Sequence, residues 1–452
     1  MAIQSSTNTF GIQVCDTFEF CQVFYSPVVE VRPSANITQD GIDLLDLAKK
    51  YNTAGDPISA LSILSVLMKK RNQSPSIMST AVQRAVEYSV ESLVRPSLLV
   101  NKGQVTMVYH VLGETLRQTD SHLLQRRALD AIHKMTHKAF AFRSLPDLTT
   151  IDSTLYVIFT KYRHAASRTP TEQQRANIQG NDNNQNNDQS LSVENEDAKS
   201  RQGEDLEVFA AVRNTVRMLL QAAAAQVPLG SKTEFGKASN VKTTTRFEIP
   251  EAYTVLIHDN ELQDLTVHTH YNATDSVEAK ITFGDELRER FAAPWTCNEK
   301  SQKLCHSVVY SITLYPHSGP YAEKRSSQRL TPIVEVVIYS PHTGDEQTVK
   351  GYLNAITLSI STTGTIPEPS LSLEGNKYRV KCYFWNEAKQ AWKTDGVHSS
   401  GMSHGKHISC DLRHVIRTTY VCIKFTSDTS RNMIPIRTIS SILCHCHSFV
   451  IT

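Results

Sequence analysis

Two tryptophans and two cysteines crowd into one turn-rich stretch, Tyr378 to Phe425, which restricts the fold more tightly than any other segment. It opens on Cys382-Tyr383-Phe384-Trp385, runs through Trp392 and Asp395-Gly396, and closes on Cys410-Asp411-Leu412-Arg413-His414-Val415-Ile416. Short apolar runs broken by turn residues predict a small β-unit, and the paired cysteines predict a bridge across it. A Cys382–Cys410 bridge would close a loop of about 29 residues, which the loop-entropy model values at roughly 3–4 kcal/mol. Trp385 and Trp392 would supply large apolar surface, and each buried indole N–H needs an acceptor.

The pattern resembles the proteolysis-site (GPS) motif that ends the GAIN domain of adhesion receptors and polycystins. The family motif reads C-x-F-W, then W, then G-C, then C-x-C-x-H-L-(T/S), and an apolar strand follows. Cys382, Phe384, Trp385, Trp392, Gly396 and Cys410 match it. Val397 and Leu412 stand at the two remaining cysteine positions. In the family those two cysteines pair with each other, so this chain has lost both halves of one bridge. Apolar residues at both positions suit a buried site, whereas a single loss would leave an orphan thiol.

The family cleaves itself. A histidine acts as general base on a Thr or Ser hydroxyl, which attacks the preceding carbonyl to give an ester that water hydrolyses. His414 falls on the family histidine, Val415 on the leucine and Ile416 on the nucleophile. Ile416 has no hydroxyl, so the resemblance implies a degenerate site with no catalytic residue: the segment folds but does not cut. His414 then reads as a hydrogen-bonded histidine at a strand end. The alternative is an active autoprotease cutting near 414–419 or at His447-Ser448. Thr418 is too far from His414 for the family geometry, and His447-Ser448 is too far from Trp392.

The length of 452 residues suggests two to four domains, and a net charge of +2 implies no polyanion and no nucleic-acid partner. Local cysteine pairs, Cys15 with Cys21 and Cys297 with Cys305, join Cys382 and Cys410 as an extracellular framework. Cys422 lies in an apolar strand and reads as a buried thiol, while Cys444 and Cys446 stay unassigned. Asn36, Asn72 and Asn272 open glycosylation sequons, used only in a secretory context. The start lacks a signal-peptide pattern, and no run of about 20 apolar residues is present. An extracellular chain would therefore be a piece of a longer protein or an incomplete gene model.

Residues 1–35 hold two strand-like runs, with Val14, Phe18, Phe20, Val23 and Tyr25 as packing residues. They look like the last hairpin of an immunoglobulin-like or egg-jelly-receptor (REJ) module. From 38 to 230 the texture is helical. Asp56 and Pro57 mark a helix start, and Ile58, Leu61, Leu64 and Leu67 recur at helical spacing behind them. GDPISALSILSVLMKKRN resembles the helical region of polycystins and sperm egg-jelly receptors. Further helices are predicted near 76–94, 104–118, 121–139, 151–163 and 205–227, the last with Val208, Val212, Thr215 and Leu219 along one side. Residues 164–204, rich in Asn, Gln, Asp and Ser, read as a disordered insert.

Short strands separated by turns fill 234–425 and predict a β-sandwich, with the motif at 378–425 as its last strands and 426–452 as a tail. TPIVEVVIYSPHTGDEQTVKGYLNAITLSIS resembles the strand pair that precedes the cleavage site in polycystin GAIN domains. IRTTYVCIKF alternates Ile416, Thr418, Tyr420, Cys422 and Lys424 against Arg417, Thr419, Val421, Ile423 and Phe425. In adhesion receptors the equivalent strand is a tethered agonist; the plain reading is a core strand. His268 and His270 share a strand face but lack a third metal ligand, so no metal or cofactor is expected. The Cys/His tract at 444–447 is too compact to wrap one zinc ion. No P-loop, G-x-G-x-x-G, H-E-x-x-H or G-x-S-x-G appears at a useful place.

The expected fold class is α+β: a helical subdomain followed by a GAIN-like β-sandwich ending in a GPS motif, with a short β segment at the N-terminus. The resemblance implies a non-catalytic extracellular module of a polycystin-like membrane receptor, serving adhesion, ligand contact or force transmission. Its partners would be the membrane-embedded remainder of the same protein or a polycystin channel subunit, at the plasma or ciliary membrane. Calcium dependence would follow only from the family. A cytosolic interaction scaffold with reduced thiols is the contrasting expectation.

Overall fold

Good local starts and stops set the helices that open the body of the chain. α1 covers Ile37–Thr53, α2 Pro57–Lys69, α3 Pro75–Val94, α4 Lys102–Gln118, α5 His122–Phe142, α6 Leu148–Lys161 and α7 Ser190–Ala224. The Asp56 carboxylate accepts the Ser59 N–H at 3.0 Å, and Pro57 occupies the first turn, where its missing N–H costs nothing. Asp147 caps α6 the same way, accepting from Thr150 N–H at 2.7 Å. Leu61, Leu64 and Leu67 of α2 and Ala128, Ala131 and Met135 of α5 are buried, as their spacing predicts.

The computed structural model describes residues 6–8, 11–15, 21–25, 29–31, 37–70, 74–94, 102–142, 144–162, 190–236, 252–270, 276–292, 307–315, 321, 328–329, 331–347, 355–361, 378–386, 389, 391–395, 397–403, 407–412 and 419–427. Two expectations for the helical region need correction. Residues 190–204, read as part of a disordered insert, are the first turns of α7. That stretch holds only one glycine and no proline, and its Glu, Lys, Arg, Gln and Ala residues are good helix formers, so a helix packed farther along can extend through it. α1 also went unread as a separate helix; its buried pair Leu45 and Ala48 sits among charged neighbours that blur the stripe.

Two antiparallel sheets follow. β5 (Ser231–Phe235), β6 (Tyr253–Asp259), β9 (Val308–Tyr315), β11 (Ile333–Tyr339), β13 (Tyr378–Asn386), β14 (Ala391–Lys393) and β17 (Thr419–Ser427) form the larger, in the order β14-β13-β17-β11-β9-β6-β5; β10 (Gln328–Arg329) also pairs with β17. β7 (Leu265–His270), β8 (Ser276–Phe283), β12 (Ile356–Ser361), β15 (Val397–Ser403) and β16 (His407–Leu412) form the smaller, in the order β15-β16-β12-β8-β7. A short helix, α8 (Asp285–Ala292), interrupts a region read purely as strands. Near the N-terminus β1 (Ser6–Asn8) pairs with β4 (Val29–Val31), and β2 (Gly11–Cys15) pairs with β3 (Cys21–Tyr25).

The larger sheet is covered on both faces, so its central strands β9 and β11 are buried at every residue. Val334, Val336 and Ile338 share one apolar core with Ile281, Leu358 and Ile408 of the smaller sheet. Ile333, Val337 and Tyr339, pointing the other way, join the helical core of Leu61, Leu112, Ile132 and Leu219. The chain is thus layered as helices, large sheet and small sheet, with two apolar cores. Period-two alternation in a strand buried on both faces disappears into a continuous apolar run, which is the texture of IVEVVIY.

Candidate functional site

β13 and β14 form a hairpin in which Trp385 sits opposite Trp392. Their rings meet edge to face, 5.4 Å between centroids and 73° between planes. Tyr321 leans on both, at 5.5 and 5.9 Å, and Tyr315 and Phe159 continue the ring contacts at 5.5 and 6.2 Å. This path runs from α6 across the large sheet to its edge hairpin. Edge-to-face pairs are the arrangement that ring quadrupoles favour.

Arg213 of α7 enters the cluster. It is 4 % exposed, and its guanidinium carbon lies 5.2 Å from the Trp385 ring centroid and 5.6 Å from that of Tyr321. The guanidinium charge lies against both rings, and their π faces offset part of the cost of burying it. The Trp385 indole N–H, expected to need an acceptor, is buried and has none among the described residues.

The same hairpin is tied through the core. Cys382 of β13 and Cys410 of β16 form a disulfide, with Cα atoms 6.0 Å apart. It joins the larger sheet to the smaller. Strand alternation explains the division: Cys382 and Phe384 meet the core between the sheets, whereas Tyr383 and Trp385 meet the helices. Val397 sits opposite Leu412 across β15 and β16, and both are buried.

β17 lies between β13 on one side and β11 with β10 on the other. Its register sets Cys422 opposite Tyr383 and Tyr420 opposite Glu335. Cys15 and Cys21 are register partners in β2 and β3. The triplet His414, Val415 and Ile416, expected to be a degenerate cleavage site, lies outside the described residues, as do Gly396, Cys297, Cys305, Asn36, Asn72, Asn272, Thr418 and His447-Ser448. His268 is largely exposed, its Nδ1 3.9 Å from Glu278 Oε2. Among the described residues, no group of three or more His, Cys, Asp or Glu could hold a metal.

α7 grips the sheets along its C-terminal half. Beyond Arg213, Arg217 pairs with Glu346 at 3.4 Å and Gln221 donates to Asp345 at 2.9 Å. Gly344, with φ +71°, packs its backbone against the same turn of α7. Past the helix end, buried His258 places Nδ1 2.7 Å from the Val227 carbonyl and Nε2 3.1 Å from Ser307 Oγ. A carbonyl only accepts, so Nδ1 carries the hydrogen. Sequence reasoning missed Arg213, Arg217 and Tyr321. The available signal was two arginines one turn apart inside an otherwise apolar helix, VFAAVRNTVRMLL.

Residues 252–421 match the family model for GPS, described as GAIN subdomain B. That span holds the β-region from β6 into β17, with the disulfide and both motif tryptophans inside it. Among solved structures, the full extracellular region of zebrafish Gpr126/Adgrg6 is similar over 70% of this chain, at 8% sequence identity and a TM-score of 0.38. This chain covers 34% of that one. No curated protein matches the sequence. Among the described residues, no helix is long and apolar enough to cross a membrane.

Proposed function

We propose that residues 38–425 form a complete GAIN-type module, a helical subdomain followed by a β-sandwich, in the extracellular part of a polycystin-like membrane receptor. The module does not cut itself. It holds its two subdomains and its last strand together as one covalently continuous unit, and contacts a ligand or transmits force to a membrane-embedded partner. The observation that carries this reading is the Cys382–Cys410 bridge between sheets, placed beside Trp385 and Trp392 within the matched span. Ile416 at the nucleophile position supports the lack of cleavage, because no histidine can activate a hydroxyl that is absent. GDPISALSILSVL, now α2, supports the polycystin-like assignment of the helical part.

The test is expression of the chain in a secretory host, followed by denaturing gel mobility, terminal sequencing and disulfide mapping. One intact species with Cys382 bonded to Cys410 is expected. Two pieces parted beside Ile416 would restore the autoprotease reading. Free thiols at both cysteines in the native protein would support the cytosolic scaffold.

A further inference from the structure

The ends of three helices converge on a groove far from the tryptophan hairpin in sequence. Met68, Lys69 and Lys70 close α2, Pro75 and Met78 open α3, and Glu114, Arg117 and Gln118 close α4; together they line about 640 Å³. That volume is within the range of specific binding clefts. The floor is thioether: Met68 is buried, with Thr115 Oγ1 3.9 Å from its sulfur, and Met78 is half-buried. Unbranched, polarisable methionines adapt to varied apolar side chains.

The rim is cationic. Glu114, the one acid of the lining, is already paired with Arg117. Lys69 and Lys70 have no carboxylate in ion-pair range among the described residues. His110, one turn before Glu114, registers the resulting field: burial first, then the Lys69 charge, holds its imidazole below the ordinary value despite Glu114. Basic residues at helix C-termini offset the macrodipole. With Arg117 held by Glu114, Lys69 and Lys70 leave the positive charge of the rim over its methionines.

We propose that this groove docks an acidic peptide segment of a partner protein, with carboxylates on Lys69 and Lys70 and an apolar side chain on Met68 and Met78. Charge complementarity selects the acid, and the methionine floor selects the apolar anchor. The inference is independent of the GAIN reading, since it uses only helix ends.

The test is fluorescence anisotropy of the full chain with a labelled peptide, Glu-Asp-Leu-Asp-Phe-Glu. Saturable binding that weakens with added salt is expected. Removing two rim charges, Lys69→Gln with Lys70→Gln, should weaken it about tenfold, with only the small fall in thermal midpoint that losing two C-terminal helix charges brings. Gln118→Glu, also in the lining, should weaken it in the same direction and serves if the double variant fails to fold. The neutral peptide Gln-Asn-Leu-Asn-Phe-Gln should not bind. Equal affinity in the rim variants, equal binding of the neutral peptide, or no binding at all would overturn the proposal. Lys69- and Lys70-dependent capture on phosphatidylserine vesicles, with no peptide binding, would assign the groove to a membrane surface instead and overturn it too.

Discussion

Val397 and Leu412 face each other as cross-strand partners in β15 and β16, 8 % and 1 % exposed. These are the two positions where the GPS pattern carries cysteines that bond to each other. Two positions distant in the sequence are thus one cross-strand contact in the fold.

The first prediction restores the bridge. Val397→Cys with Leu412→Cys should oxidise spontaneously, because directly opposed strand residues hold Cα atoms within disulfide reach. The closed loop of about 15 residues is worth roughly 3 kcal/mol, offset by about 1–3 kcal/mol of lost apolar packing. Thiol titration should therefore show no added free cysteine, and thermal stability should stay close to the parent. Leu412→Cys alone should be destabilised. A double variant that keeps two free thiols would refute the pairing.

The second prediction concerns Arg213. Arg213→Ala removes a cation that lies against both the Trp385 and Tyr321 rings and leaves a cavity at the helix–sheet interface. The expected cost is about 2–3 kcal/mol. Arg213→Lys should recover only part of it, since an ammonium is more strongly hydrated than a guanidinium and costs more to bury among rings. Denaturant unfolding followed by tryptophan fluorescence reads both. Equal stability of Lys and Arg at 213 would mean that the cluster needs a cation there but not a guanidinium.

Much of this architecture was legible because its signals are local. The Asp56–Pro57 start, the α5 stripe and the short strands between turns depend on neighbours in sequence, and the structure places them where their patterns fall. The same holds for Cys382 and Cys410, whose spacing and flanking tryptophans carry the motif. What stayed hidden depends on distant partners. Arg213 gains its role from Tyr321 and Trp385, over a hundred residues away, and nothing near it announces those rings. The start of α7 was hidden for the opposite reason: a polar composition argues against a core, but not against a helix anchored farther along.

Three glycines make a graded test of the helix–sheet contacts. Gly236 and Gly344 have φ of +82° and +71°, and a Cβ on either would lie 2.6 Å from a backbone oxygen, that of Ala252 or Gln221. Gly230 has φ +76°, and a Cβ there would meet nothing within 4 Å. Alanine at 230 should cost only the left-handed backbone penalty, about 1–2 kcal/mol. At 236 and 344 the backbone must also move, so about 2–4 kcal/mol is expected. Thermal unfolding that ranks 230 with the other two would show that space at these sites does not matter.

Asp56 supplies a pH prediction. Hydrogen bonding from Ser59, through its side chain first and its backbone N–H next, holds the Asp56 carboxyl below its ordinary value. A depressed folded value means that stability from the cap is fully present above the unfolded carboxylate value of about 3.9. It is lost as pH falls through the folded value. Asp56→Ala should cost about 1 kcal/mol at neutral pH. The gap between parent and variant should close as the solution is acidified below that range. A gap that persists unchanged at low pH would assign the cost to lost packing, not to the charged cap.

The last prediction returns a hydroxyl to the degenerate site. Val415→Leu with Ile416→Thr rebuilds the family triplet behind His414 without touching the bridge or the tryptophans. The threonine hydroxyl would attack the carbonyl of residue 415, giving up its proton to His414, and water would then release the two pieces. A second, smaller band should appear on denaturing gels, with a new terminus at residue 416. Ile416→Val has nearly the same shape as the threonine variant but no hydroxyl, so it should stay whole. His414→Ala in the threonine background should also stay whole. Cleavage that survives loss of His414 would remove it from the role of base. No cleavage in the rebuilt triplet, with the fold intact, would mean that the backbone before 416 no longer presents its carbonyl to the nucleophile, and that this copy lost geometry as well as chemistry.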